Sequence, residues 1–175
     1  MPGTSDEALL CDLVVFPPLA PSDNPQADAT FIRILTGLER PVMLSPETAP
    51  KHIGRKVAIA WDGRQAAAHA LVSALPFLEK AQSSEILSIQ HKPSNDTTID
   101  NARDYLALHG LGRTERLIEP GNRAIADVLL DAAVSSDCNL LVAGGYGHSR
   151  LAESIFGGVT DTIVSHPSLP VLMVH

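Results

Sequence analysis

The chain has 175 residues, 45% of them apolar and 19% charged, with a net charge of −7 at pH 7. That composition fits one globular domain, or one domain plus a fragment, and excludes an intrinsically disordered chain. The acidic balance argues against bulk binding to nucleic acid or an anionic membrane, which need a basic face, and no run approaches the ~18–20 apolar residues of a membrane span.

The N-terminal stretch MPGTSDEALLCDLVVFPP lacks the basic start of a secretory signal. Pro17 and Pro18 interrupt its apolar run, so a cytoplasmic protein is expected. Within it LLCDLVVFPP reads as a strand, DATFIRILTGLE as a helix and RPVMLSP as a second strand. The polar stretch SPETAPKHIGR (45–55), with two prolines, reads as a linker. The basic residues Lys51, His52, Arg55 and Lys56 at its end read as a solvated face.

After residue 55 the pattern becomes regular. KVAIAWDG (56–63) is an apolar, β-branched run ending in a turn signal. RQAAAHALVSALPFLEK (64–80) has helical spacing and is bent or restarted at Pro76. SEILSIQH (84–91) is the next strand. Thr97 or Thr98 is placed to cap a helix that runs through His109. RTERLIEPG (113–121) reads as a strand, NRAIADVLLDAAVSS (122–136) as an amphipathic helix, and NLLVAGGYG (139–147) as a buried strand running into glycines. GVTDTIVSHP (158–167) is a short helix stopped by Pro167, and PVLMVH (170–175) is the last strand. Continuous apolar strands alternating with helices predict an α/β fold, a parallel sheet covered on both faces.

The first strand and the strand after the linker-side helix echo the C-terminal end. Cys11-Asp12-Leu13-Val14-Val15 resembles Cys138-Asn139-Leu140-Leu141-Val142, and Arg40-Pro41-Val42-Met43-Leu44 resembles Leu169-Pro170-Val171-Leu172-Met173. The offsets are 127 and 129 residues. Residues 1–45 are therefore read as a partial first repeat, 46–55 as the linker and 56–175 as a complete domain. About 45 residues cannot bury a core alone, so the partial copy must pack on the complete one or on a second chain. Cys11 and Cys138 read as two buried, reduced thiols.

Two glycine clusters, Gly144/Gly147 and Gly157/Gly158, flank the segment HSRLAESIF. Glycines beyond a strand end let a ligand approach the backbone, and a helix start with free N–H groups favours a phosphate. In a doubly wound sheet, ligands bind beyond the carboxyl ends of the strands where the order reverses. Glycines also mark tight turns that hold nothing, and both readings stand on spacing alone. Gly147-His148-Ser149-Arg150-Leu151 approaches a nucleophile elbow, but its last position is Leu and the remaining acid and His candidates crowd into one helix and one strand. No Walker A loop is present, and the histidines form no metal-ligand spacing. His69 and His109 read as partly exposed helix residues. No catalytic residue and no metal site are assigned.

The stretch Gly144, two residues, Gly147, nine residues, Gly157, followed by Val159-Thr160, resembles the phosphate loop of the universal stress protein (UspA-like) family. The ending PVLMVH is similar to that family's last strand, and Ala60-Trp61-Asp62-Gly63 to the end of its first strand. The resemblance covers residues 55–175 as a whole domain and 8–45 as a partial one, like a tandem member with a truncated first domain. It implies a Rossmann-like, adenine-nucleotide alpha-hydrolase-like sheet of five strands in the order 3-2-1-4-5. It also implies a regulatory domain that binds ATP, with Mg, or a related adenine nucleotide, and hydrolyses it slowly at most.

The implied site places Ala60, Trp61 and Asp62 beside the base or ribose, with Asp62 accepting from a ribose hydroxyl. Asp62 reads equally as the N-cap of the following helix, and Trp61 as plain core or interface. Ile89 would offer backbone to the adenine edge. Gly144, Gly147 and His148 would approach ribose and phosphates; Gly157, Gly158, Val159 and Thr160 would hold the terminal phosphates. Gly158 stands where the family carries Ser or Thr, which removes a hydroxyl contact, about 1.5–3 kcal/mol when uncompensated. The alternative is therefore a member that binds no nucleotide and acts as a dimerisation or interaction module. In this family the last strand makes an antiparallel contact with its counterpart. Strand 41–44 is expected to take that role against 170–174, within one chain as a pseudo-dimer or between chains of a homodimer.

Overall fold

The computed structural model describes residues 8–19, 25–48, 50–89, 98–145 and 159–175. Seven strands form one sheet: β1 (Val14–Phe16), β2 (Val42–Leu44), β3 (Lys56–Trp61), β4 (Ser83–Ile89), β5 (Arg113–Ile118), β6 (Leu140–Gly144) and β7 (Val171–Val174). The helices are α1 (Pro25–Ile32), α2 (Gln65–Ser73), α3 (Leu75–Leu78), α4 (Thr98–Leu108), α5 (Ile125–Ser135) and α6 (Val159–Ser165). A π-helical turn, Arg33–Gly37, continues α1.

The spatial order is β1-β2-β7-β6-β3-β4-β5. The five strands from β3 to β7 thus follow the 3-2-1-4-5 order, all parallel. The sheet differs from five parallel strands in being extended by two. β1 lies parallel to β2, and β2 lies antiparallel to β7. The apolar edge of β7 is thereby paired within the chain, as Val42 with Met173, Met43 with Leu172 and Leu44 with Val171. An unpaired apolar edge invites association, and the N-terminal segment removes that exposure.

Each strand sends alternate residues to opposite faces. One face carries Ala58, Leu87, Leu141, Ala143, Val171, Met173, Val42, Leu44 and Phe16 against α5, α6 and the π-helical turn. The other carries Val57, Ile59, Ile86, Leu140, Val142, Leu172 and Met43 against α2, α3 and α4. The N-terminal segment is part of this core: Phe31, Ile34 and Leu35 are fully buried, and the Phe31 ring meets Phe16 edge-on with centroids 5.4 Å apart.

Local signals account for the helix ends. The 64–80 helix divides at Ala74, and Pro76 sits in the first turn of α3, where its missing N–H costs nothing. α4 ends with Gly110 at φ +68°; Leu111 N–H donates to Leu106 O and Gly110 N–H to Ala107 O. α5 ends in the same way with Asp137 at φ +54°, Cys138 N–H donating to Ala133 O and Asp137 N–H to Val134 O. Both are Schellman ends, one built on glycine and one on aspartate. Of the two cysteines, Cys138 is buried but Cys11 is only half-buried, because it lies beside the outermost strand rather than inside the sheet.

Candidate functional site at the carboxyl ends of β3 and β6

Strand order reverses between β3 and β6. β3 is followed by a crossover to β4 on one side, while β6 lies on its other side and leads to β7. The carboxyl ends of these two strands lie next to each other, through the pairs Val57–Leu140, Ala58–Leu141 and Ile59–Val142. That is where a parallel doubly wound sheet opens a crevice.

Asp62, just past β3, is exposed. Its Oδ1 accepts the backbone N–H of Arg64 at 3.0 Å, and its Oδ2 lies 3.9 Å from Arg64 Nε. Gly63, at φ +74°, makes the intervening turn. The N-cap of α2 is Arg64, not Asp62; the glycine inserts one residue, so the carboxylate closes the turn ahead of the helix instead of capping it. This leaves most of the Asp62 acceptor capacity facing outward.

Trp61 is 8% exposed and packs with Ile59, Ala67 and Ala70, so its side chain is core. Its carbonyl accepts the Ser88 hydroxyl at 3.1 Å, which ties the ends of β3 and β4 together. Ala60 and Ile89 are half-buried and lie on the α5 face.

Gly144 ends β6 under the first turn of α2. A Cβ there would come within 2.6 Å of the Ala66 carbonyl carbon and 2.7 Å of the Ala67 nitrogen. Its bareness therefore serves helix-on-strand packing, and the space a side chain would fill is protein, not ligand. Gly145 is similar but softer: its Cβ would meet Leu35 Cδ2 at 3.0 Å and Met173 Cε at 3.2 Å.

Two histidines complete this end of the sheet, and sequence reasoning missed them as a pair. The His175 ring Nδ1 lies 3.1 Å from Gly145 O, and the His69 ring Nδ1 lies 3.0 Å from His175 O. Both rings donate to carbonyls, linking α2, the end of β7 and the exit of β6. His69 stands at an exposed helical position as expected, but no spacing rule pairs residues 106 apart.

Gly147, His148, Gly157 and Gly158 lie outside the described residues, and Val159 and Thr160 are described only as backbone of α6. The structure thus brings Ala60, Trp61, Asp62, Ile89 and Gly144 to one end of the sheet. Among the described residues no three His, Cys, Asp or Glu side chains come together as a metal site, and no helix is long and apolar enough to cross a membrane.

A cavity of about 310 Å³ lies at the opposite end of the sheet, lined by Pro46, Thr48, Pro50, Asp137, Cys138 and Leu169 among others. Burial, and next the nearby Glu85 charge, push the Cys138 thiol up to about 11, so the sulfur at its wall is a poor nucleophile.

Residues 54–175 match the model of the Universal stress protein family. Solved structures of similar fold include a universal stress protein from Archaeoglobus fulgidus DSM 4304, with TM-score 0.69 and 12% identity, covering 97% of this chain and 62% of that one. The hypothetical protein MJ0577 matches with TM-score 0.59 and 18% identity, covering 70% and 96%. A universal stress protein in complex with cAMP matches with TM-score 0.54 and 21% identity, covering 69% and 96%. The chain spans less than two thirds of the Archaeoglobus protein's length. No curated protein sequence gives a significant match. With the family model covering well over half of its length, the chain belongs to the universal stress protein family.

Proposed function

We propose that this protein is a regulatory nucleotide-binding domain that takes ATP, with Mg, or a related adenine nucleotide at the carboxyl ends of β3 and β6, with little or no turnover. The observation that carries the reading is the outward Asp62 carboxylate at the strand-order reversal, beside the exit of β6. A ribose hydroxyl donates to Asp62, and the backbone of Ala60, Trp61 and Ile89 borders the base. The segment from Gly144 through Gly147, His148, Gly157, Gly158, Val159 and Thr160 receives the phosphates. Gly144 acts indirectly, by letting α2 approach β6. The cAMP complex of a protein with this fold supports an adenine nucleotide as the ligand class.

Calorimetric titration of the nucleotide-stripped protein with ATP and Mg tests the reading. Saturable binding that disappears in Gly157→Val and weakens in Asp62→Ala supports it. No heat from a folded protein refutes it.

A second reading has its own observation. Gly144 and Gly145 both have protein atoms where a Cβ would sit, so neither glycine requires a ligand to account for it. On that reading the domain is an interaction module of the stress response that binds no nucleotide, and a null titration selects it.

A further inference from the structure

The two halves of the sheet are related by a pseudo-twofold axis. β1 pairs with β2 as Val14–Val42, Val15–Met43 and Phe16–Leu44. β6 pairs with β7 as Leu141–Val171, Val142–Leu172 and Ala143–Met173. Under the sequence echo each pair in the first set maps onto the corresponding pair in the second. The backbone bonds agree: Val14 N–H donates to Pro41 O, and Leu141 N–H donates to Pro170 O. The antiparallel junction maps onto itself, with Met43 opposite Leu172 at its centre.

The symmetry stops at β1. In the complete half, β6 has β3 along its other edge, and Val142 lies fully buried in the core cluster that holds the α2 residues Ala67, Ala70 and Leu71. In the partial half, β1 ends the sheet and Val15, the counterpart of Val142, is 61% exposed. Leu140 is fully buried, and its counterpart Leu13 is half-buried. Leu10, just upstream, is also exposed. Val14 N–H and Phe16 C=O are engaged on the β2 side, so the alternation of the strand turns the N–H and C=O of Val15 outward.

The far edge of the sheet is built differently. β5 carries Arg113, Glu115 and Arg116, charges of the kind that discourage edge pairing. β1 carries none between Leu13 and Phe16.

We propose that the outer edge of β1 and the face over Val15 form a docking surface for the front half of a domain of this same class. The pseudo-twofold specifies the occupant: an apolar strand running parallel to β1, as β3 does to β6, followed by a small-residue helix that covers Val15, as α2 covers Val142. Over a third of the Archaeoglobus relative has no counterpart in this chain, which is room for such a unit. The proposal is independent of nucleotide binding.

The test uses the full chain and a probe made of its own residues 54–137, which end where Cys138 mirrors Cys11. Hydrogen exchange at the Val15 amide is followed with and without the probe. The expected result is protection increased at least tenfold, abolished by Val15→Lys at an unchanged melting temperature. Should the probe be unfolded by itself, the same segment is fused directly ahead of Cys11. One cooperative transition with a protected Val15 supports the proposal in that format. A Val15 amide that exchanges as before in both formats overturns it. So does protection that rises with protein concentration in the absence of probe, because the occupant is then a second copy.

Discussion

The place where a Gly144 side chain would begin is 2.6 Å from the carbonyl carbon of Ala66. A real Cβ cannot occupy that distance, and the obstructing atoms are helix backbone that moves only with all of α2. Gly144→Ala should therefore destabilise the fold by about 2–3 kcal/mol, at the upper end of the range for overpacking. At Gly145 the obstruction is the ends of Leu35 and Met173, which can rotate away, so Gly145→Ala should cost clearly less. Urea denaturation of the two variants, with and without ATP, measures the difference. A Gly144→Ala protein as stable as the parent would refute the packing account.

Asp137 adopts φ +54° at the end of α5, in the motif that α4 builds on Gly110. A side chain is strained there, although Asp tolerates the conformation better than most. Asp137→Gly should raise stability by about 0.5–1 kcal/mol, read as a higher urea midpoint with an unchanged slope. The matching exchange, Gly110→Ala, should lower it by a similar or larger amount.

The two thiols should differ sharply in reactivity. Cys138 is buried with its thiol pushed up to about 11, so only about one molecule in a thousand carries the thiolate at pH 8. Cys11 is half-buried. Titration with a thiol reagent should give one cysteine labelled promptly and a second labelled only on unfolding, with Cys11→Ser removing the prompt phase. The folded Cys138 thiol lies above its unfolded value, so its contribution is complete below about pH 9 and is lost as pH rises from there towards about 11.

At the β5 edge, Arg103 forms two hydrogen bonds with Glu115, at 2.6 and 2.9 Å, and also bonds Asp100. The Arg103 hydrogen bonds hold the Glu115 carboxyl below the usual carboxylate range. A depressed folded value contributes stability above the unfolded value of 4.5, and that contribution is lost as pH falls through the folded one. Midpoints of denaturation between pH 7 and pH 3 should fall less steeply in Glu115→Gln than in the parent, and the two curves should converge at the acid end.

Leu44 is fully buried at the β2–β7 junction, where it pairs with Val171. Leu44→Ala should cost about 2–4 kcal/mol, with fluorescence and circular dichroism showing one shared transition. Two separate transitions would mean that the N-terminal segment is an accessory that melts independently of the domain.

The sequence determined the alternation of elements after residue 55, because continuous apolar strands and amphipathic helices carry different periods. It also pointed to the strand that pairs with β7: the match of residues 40–44 with 169–173 identified a strand of the same kind as the edge it covers. The restart at Pro76 and the end of α4 near His109 were legible for the same reason, since Pro and Gly act on backbone locally.

Tertiary structure decided the rest. It assigned Gly144 to helix packing, withdrew Trp61 into the core and moved the cap of α2 from Asp62 to Arg64. It joined His69 to His175 across 106 residues, and it left Val15 exposed where Val142 is buried. In each case the deciding quantity is the distance between atoms remote along the chain. Local periodicity encodes which face a residue takes, whereas what stands opposite that face exists only once the sheet is assembled.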